Sequence, residues 1–230
     1  MSRLLLCIFC LLLLVPVASA EVQPPLVLES VRQQVSETFL LLDKNMQKAA
    51  RELGKTGLEG PEARKILAKT CKEFSSSIDC CTVDLTGRML TVEPASYRSF
   101  EGKNIGSQQQ VRQVLQNRKP VLSNVFRSIE GFDAVDLEYP VFTSTGEFTG
   151  SVSIMFRPEK MLGDIIKQRG KGLPVAVWAM ETGGRILYDP DSMQIGLNLF
   201  SSRQYERFTS LKKLARSEER RVGKECRSRW

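Results

Sequence analysis

The chain has 230 residues, a formal net charge of +7 and an apolar fraction of 42%, enough to build one large domain or two small ones and too much for a disordered chain. It contains no histidine, which removes the commonest general base and metal ligand and excludes Ser–His and Cys–His nucleophiles. No H-E-x-x-H, Walker, G-x-G-x-x-G or G-x-S-x-G sequence occurs, so no enzyme, cofactor or metal site is expected.

Residues 1–20 have one positive charge at Arg3, an apolar run from Leu4 to Val15 and a small-residue end at Ala18-Ser19-Ala20. That is the layout of an export signal cleaved after Ala20, or, if the segment is retained, of an N-terminal anchor. Contact with a membrane is expected only in the second case. At the other end, residues 216–230 (RSEERRVGKECRSRW) carry +3 with no apolar periodicity, which leaves residues 21–215 at +3. A body so weakly charged makes no case for nucleic acid.

Residues 21–60 hold a long helix. Val31, Val35, Phe39, Leu42, Met46, Ala49 and Leu53 recur at spacings of three and four, which predicts one amphipathic helix over Leu28–Leu53, stopped at Gly54. Its apolar face packs on its own domain or on a second copy of the chain, so a homodimer through this helix is one expectation. A second helix opens at Pro61 and runs to about Phe74. The period then changes to that of strands at Cys80–Val83, Met89–Val92, Val121–Phe126, Ala134–Phe142 and Thr149–Phe156, the last two joined by a short turn through Gly146. Short helices are predicted over Gln108–Gln116 and Glu159–Gln168, closing a unit over residues 61–170.

After Gly170-Lys171-Gly172 the pattern restarts. Val83–Leu90 (VDLTGRML) is echoed by Met180–Leu187 (METGGRIL), and Asn104-Ile105-Gly106-Ser107 by Gln194-Ile195-Gly196-Leu197. Two matches in the same order indicate an internal duplication, each copy a tight strand–turn–strand with Gly at the positive-φ position. The second copy has its opening strands and a helix over about Arg203–Ala215, but no later strands, so residues 171–215 read as an incomplete module. Residues 216–230 supply none of the missing strands. They resemble the translation of a common short-read sequencing adapter, which marks them as a non-native tail.

Candidate binding residues come from strand alternation. Ser123, Val125 and Arg127 share one face, Asp136, Glu138 and Pro140 share one, and Ser151, Ser153 and Met155 share one. Such a face is either solvated or lines a polar pocket. The loop Tyr97-Arg98-Ser99-Phe100 and the following helix could close over it, and Tyr and Arg there suit a small anionic or zwitterionic ligand. The candidate set is Tyr97, Arg98, Phe100, Arg112, Ser123, Arg127, Asp136, Tyr139 and Ser153. Cys71, Cys80 and Cys81 allow either one disulfide from Cys71 to one of the other two, or buried free thiols.

The ordered set of the long helix, TVDLTGRML, NIGSQQQVRQVLQNRKPVLSNV, LEYPVFTSTGEFTGSVSIMF followed by a helix, and AVWAMETGGRILYDPDSMQIGLNLF resembles the double Cache domain, or PDC sensor, of extracytoplasmic receptors, over about residues 28–215. The resemblance implies an α+β fold of two PAS-like modules, each an antiparallel sheet with flanking helices. It also implies that the membrane-distal first module holds a small ligand, without catalysis, and signals to a kinase, cyclase or chemotaxis output. The aromatic and Arg residues that amino-acid-binding members carry ahead of the ligand helix are missing at Gly106–Val111, and Phe156-Arg157-Pro158 stands where they carry an Asp. A different small molecule is therefore expected. A ligand-free structural or interaction module is the alternative.

Overall fold

A computed structural model describes residues 24–171 and 176–217; residues 1–20, expected to be an export signal or anchor, and residues 218–230 of the expected non-native tail lie outside the described residues. The first helix, α1 (Pro24–Thr56), is longer than its apolar pattern indicated. It runs through Gly54 and ends at Gly57, whose φ is +94° and whose N–H donates to the Leu53 carbonyl at 2.8 Å, as a left-handed glycine at a helix end does. Gly54 serves a different purpose. A Cβ there would stand 2.0 Å from the Phe142 carbonyl oxygen, so the glycine lets the helix lie directly on a strand end.

Helix α2 (Gly60–Glu73) follows, with Pro61 in its first turn. Strands β1 (Ser77–Val83), β2 (Met89–Glu93), β3 (Val121–Leu122), β4 (Phe126–Arg127), β5 (Asp133–Phe142) and β6 (Phe148–Phe156) form one antiparallel sheet. Its order is β2-β1-β6-β5-β3, with β4 also paired to β5. The single strand expected over Val121–Phe126 is broken in two. Ser123 still exchanges bonds with Asp136, N–H to carbonyl at 2.8 Å and Oγ accepting from the Asp136 N–H at 2.9 Å, and the chain then leaves the sheet before β4. Between β2 and β3 run a 3-10 turn (Ala95–Phe100) and α3 (Gln109–Asn117); α4 (Pro158–Arg169) follows β6.

Period-two alternation gives the sheet two different faces. Cys80, Val135, Leu137, Tyr139, Val141, Val152, Ile154 and Phe156 point toward α1, α2 and α4, and with Leu42, Met46, Leu53 and Leu67 form the main core. The Phe156 ring meets Phe74 and Phe39 edge-on at 5.4 and 6.2 Å. The opposite face is covered by α3 and the 3-10 turn over a smaller cluster of Cys81, Val83, Met89, Val92, Ile105 and Val111, with Tyr97, Phe100 and Leu115 half-buried against it.

Beyond α4, β7 (Ala179–Met180) and β8 (Ile186–Tyr188) form a hairpin. Tyr188 packs on α4 at Gly163, where a Cβ would lie 2.9 Å from its ring. Both turns of the repeat share one set of bonds. Asp84 N–H to Arg88 carbonyl (2.9 Å) has its counterpart in Glu181 to Arg185 (2.8 Å), and Gly87 to Asp84 (3.0 Å) in Gly184 to Glu181 (2.9 Å). Gly87 and Gly184 have φ of +82° and +90°. The second sequence match, however, was out of register. Asn104 Nδ2 donates to the Thr86 carbonyl, and Asn198 Nδ2 to that of Gly183, both at 2.8 Å. Arg88 bridges Asn104 just as Arg185 bridges Asn198. Asn104-Ile105-Gly106 therefore corresponds to Asn198-Leu199-Phe200, not to Gln194-Ile195-Gly196. The helix expected over Arg203–Ala215 is a 3-10 turn (Arg203–Tyr205) followed by helix over residues 209–217.

Candidate ligand site

The sheet face under α3 is polar in an ordered way. Strand register places Asp79 and Asp136 on either side of Met155, then Cys81 and Glu138 on either side of Ser153, then Val83 and Pro140 on either side of Ser151. Asp79, Asp136 and Glu138 are 2%, 4% and 0% exposed. Ser151 Oγ donates to Glu138 Oε1 at 2.5 Å, Gln110 Nε2 reaches Asp136 Oδ2 at 3.4 Å, and Cys81 Sγ lies 3.3 Å from Ser153 Oγ. Each carboxyl also keeps one oxygen with no partner: Asp79 Oδ2, Asp136 Oδ1 and Glu138 Oε2.

Taking a carboxylate out of water disfavours its charged form. Burial pushes Asp79 well above the usual range, with the Glu130 and Asp136 charges adding. It raises Asp136 to about 7 against the pull of Gln110 and Ser153, and raises Glu138 to about 8 with help from Asp136.

Asp79, Asp136, Ser153, Met155, Cys81 and Glu130 line a small cavity of about 20 Å³, roofed by Gln108, Phe126 and Ile129. That is room for roughly one water-sized group. Among the described residues no Lys or Arg is part of its wall. Next to it lies an open groove of about 450 Å³ lined by α3 (Gln109, Gln110, Gln113) and by residues 122–127. Gln108 and Phe126 border both spaces. The loop under the groove is tied to the β7–β8 turn: the Val125 N–H donates to Glu181 Oε1 at 2.7 Å, and Arg185 donates to Asp133 at 2.5 Å.

Of the residues singled out in the sequence, Asp136 and Ser153 lie in the inner cavity, and Ser123 and Arg127 line the groove. Arg127 is exposed, 3.6 Å from Asp133. The others stand elsewhere. Tyr139 is on the α1 face, one residue out of phase with Asp136, and its hydroxyl donates to Asp43. Arg98 is engaged with Glu93 Oε1 at 3.0 and 2.6 Å, a carboxylate that Arg64 also holds at 2.9 Å. Tyr97 and Phe100 pack beneath the 3-10 turn, and Arg112 is exposed on α3 outside both walls. Carboxyl groups line the inner cavity, and of the three candidate arginines only Arg127 lines the groove.

Of the two readings of the cysteines, the structure has the second: Cys71, Cys80 and Cys81 are buried free thiols. Cys80 and Cys81 are strand neighbours and point to opposite faces, so only Cys80 faces Cys71 on α2. The two thiols hydrogen-bond, which lowers the Cys71 pKa, while burial holds Cys80 and Cys81 well up. Sequence reasoning missed Asp79, Glu130, Gln108, Gln110 and Phe126. Reading β1 from Ser77 instead of Cys80 would have put Asp79 in phase with Cys81.

A twisted antiparallel sheet with a long helix on one face, and a short helix roofing a polar cavity on the other, is the architecture of a PAS-like sensor module. A family model for the HK/GC/chemotaxis protein-like sensor domain matches residues 38–158, and the chain belongs to that family. Among solved structures it is similar to an extracellular ligand-binding receptor from Desulfohalobium retbaense DSM5692, with 33% identity and a TM-score of 0.73 over 81% of this chain. The chain spans 35% of that receptor's length. In fold it is also similar to the ligand-binding domain of the Pseudomonas fluorescens chemoreceptor CtaA in complex with L-serine (15% identity, TM-score 0.53, 76% of this chain and 72% of that one). A third is the sensory domain of the Campylobacter jejuni chemoreceptor Tlp3 with isoleucine bound (10% identity, TM-score 0.58, 73% and 69%). No curated protein matches the sequence. The Cache-type α+β fold read from the sequence thus stands, and the matched residues are a sensor domain.

Proposed function

We propose that the chain is the extracytoplasmic, non-catalytic sensing part of a signal-transduction receptor or of an exported Cache protein, and that its small-molecule ligand binds on the carboxylate-bearing sheet face under α3. The observation that carries this is a small polar cavity with unpartnered buried oxygens, sharing Gln108 and Phe126 with an adjacent open groove, in a member of a sensor family. Asp136 and Ser153 would contact the ligand directly, and Ser123 and Arg127 would line its approach. Residues 61–170 act as the ligand-holding module and residues 171–215 as the start of a second one, whose first turn touches the groove through Glu181 and Arg185. Residues 1–20 serve as export signal or anchor, and residues 216–230 are foreign to the native protein. Leu40 and Leu41, 61% and 59% exposed on α1, support pairing of two copies through that helix.

The small size of the inner cavity favours a second reading, a ligand-free interaction module. A thermal-shift screen of organic acids, amines, amino acids and nucleobases separates the two. Saturable stabilisation by one compound class is expected of a sensor, whereas no shift from any class leaves the interaction module.

A further inference from the structure

We infer that the inner cavity takes the protonated head of a primary amine between Asp79 and Asp136, and that a neutral polar body fills the adjoining groove. The inference rests on the sensor reading above and names the ligand class for the same site.

Three observations carry it. Asp79 Oδ2 and Asp136 Oδ1 are acceptors with no donor, on carboxyl groups at least nine-tenths buried. A buried acceptor left unpaired is costly, so this face is complete only with a donor or a cation. The carboxyls flank Met155, one strand to each side, so their Cα atoms lie about 10 Å apart. An ammonium at about 2.8 Å from an oxygen of each fits between two side chains leaning inward, over the flexible thioether. The space there, about 20 Å³, suits a single ammonium head and nothing larger.

The charges around the site point the same way. Asp136 and Glu138 on β5, Asp79 on β1 and Glu130 before β5 are the titratable carboxyls near it. Gln108 and Gln110 from α3, Ser153 and Met155 from β6 and Cys81 from β1 are the uncharged or thiol groups that face them. Among the described residues no three His, Cys, Asp or Glu groups are arranged to hold a metal ion, so an organic cation fits better than a divalent one. The groove is walled by side-chain amides and Ser123 together with the apolar Leu122, Val125 and Phe126, and among the described residues its one cation, Arg127, is 68% exposed and already beside Asp133. That lining recognises hydroxyl or amide groups and lacks a buried partner for a carboxylate, which favours an amino alcohol or amino amide over an α-amino acid.

Burial, with the neighbouring carboxyl charges adding, leads these carboxyls to keep protons near neutral pH, as the raised values of Asp136 and Glu138 describe. An entering ammonium displaces a proton to solvent, so affinity rises with pH by up to about tenfold per unit for each proton released.

Calorimetric titration of the full chain with ethanolamine, serinamide, L-serine, acetate, Mg²⁺ and Ca²⁺ tests this, in two buffers of different ionisation enthalpy at about pH 6.5 and 8. Expected are saturable binding of ethanolamine and serinamide, proton release on binding, tighter binding at the higher pH, and at least a tenfold loss in Asp136→Asn or Asp79→Asn. Both variants keep the side chain's shape and cannot ionise, so they should melt no lower than the parent, which thermal melts check, and a loss of binding cannot then be put down to misfolding. Binding of L-serine or acetate without serinamide overturns the amine assignment and leaves the sensor reading standing. A response to the metal ions alone, or amine binding untouched in both variants, overturns it too. If the wider screen also gives no stabilising compound, the sensor reading itself falls.

Discussion

Glu138 sits mid-sheet with 0% exposure, one oxygen accepting from Ser151 and the other facing no partner. Its pKa is raised from 4.5 to about 8, by burial first and then by the Asp136 charge. A carboxyl raised in the folded state binds more protons folded than unfolded. Its contribution to stability is therefore fully present below about pH 4.5 and is lost as pH rises through about 8. Glu138→Gln keeps the shape and the acceptor for Ser151 but cannot ionise. At ~1.4 kcal/mol per unit, the parent should lose about 2 kcal/mol relative to this variant between about pH 6 and pH 8.5. For a chain of this size that is about 4–8 °C in Tm. Thermal melts of both proteins across that range provide the check. The variant should gain on the parent steadily as pH rises; parallel curves, or a variant that falls behind, would refute the burial argument for this face.

Four further outcomes are expected. Gly87→Ala should cost about 3 kcal/mol in denaturant unfolding, because its φ is +82° and its Cβ would stand 2.4 Å from the Gly106 Cα. Arg64→Ala should cost about 2 kcal/mol by leaving Glu93, 5% exposed, with only the half-exposed Arg98, yet leave ligand affinity within about twofold. Tyr139→Phe should cost about 1 kcal/mol through the lost bond to Asp43 and likewise spare binding, since it faces α1. Cys71, Cys80 and Cys81 should resist a thiol reagent in the native protein and all react once it is unfolded without reductant; a pair still protected then would restore the disulfide.

The elements with strong local signals were legible in the sequence. The three-four spacing of Val31 to Leu53 fixed the buried stripe of α1, and the turn through Gly146 fixed the β5–β6 hairpin. What failed depended on pairings distant in the chain. Arg98 looks like a ligand-binding cation until it is seen to share the Glu93 carboxylate with Arg64, which lies 29 residues before Glu93. Gly54 reads as a helix stop because nothing local reveals the Phe142 carbonyl against it. Tyr139 was a phase error that alternation alone could have caught, since Asp136 and Glu138 fix the other face. Asp79 was lost by starting β1 three residues late. The repeat shows the same limit: Ile-Gly strings aligned by letter, whereas the bonds align the asparagines, Asn104 with Asn198.

Amide hydrogen exchange with and without saturating serinamide addresses the location of the site most directly. Slowed exchange is expected in α3 and across residues 121–136, with α1 unchanged. Protection centred on α1 around Gln34, Thr38 and Leu41, or no change anywhere, would contradict a ligand held on the carboxylate face.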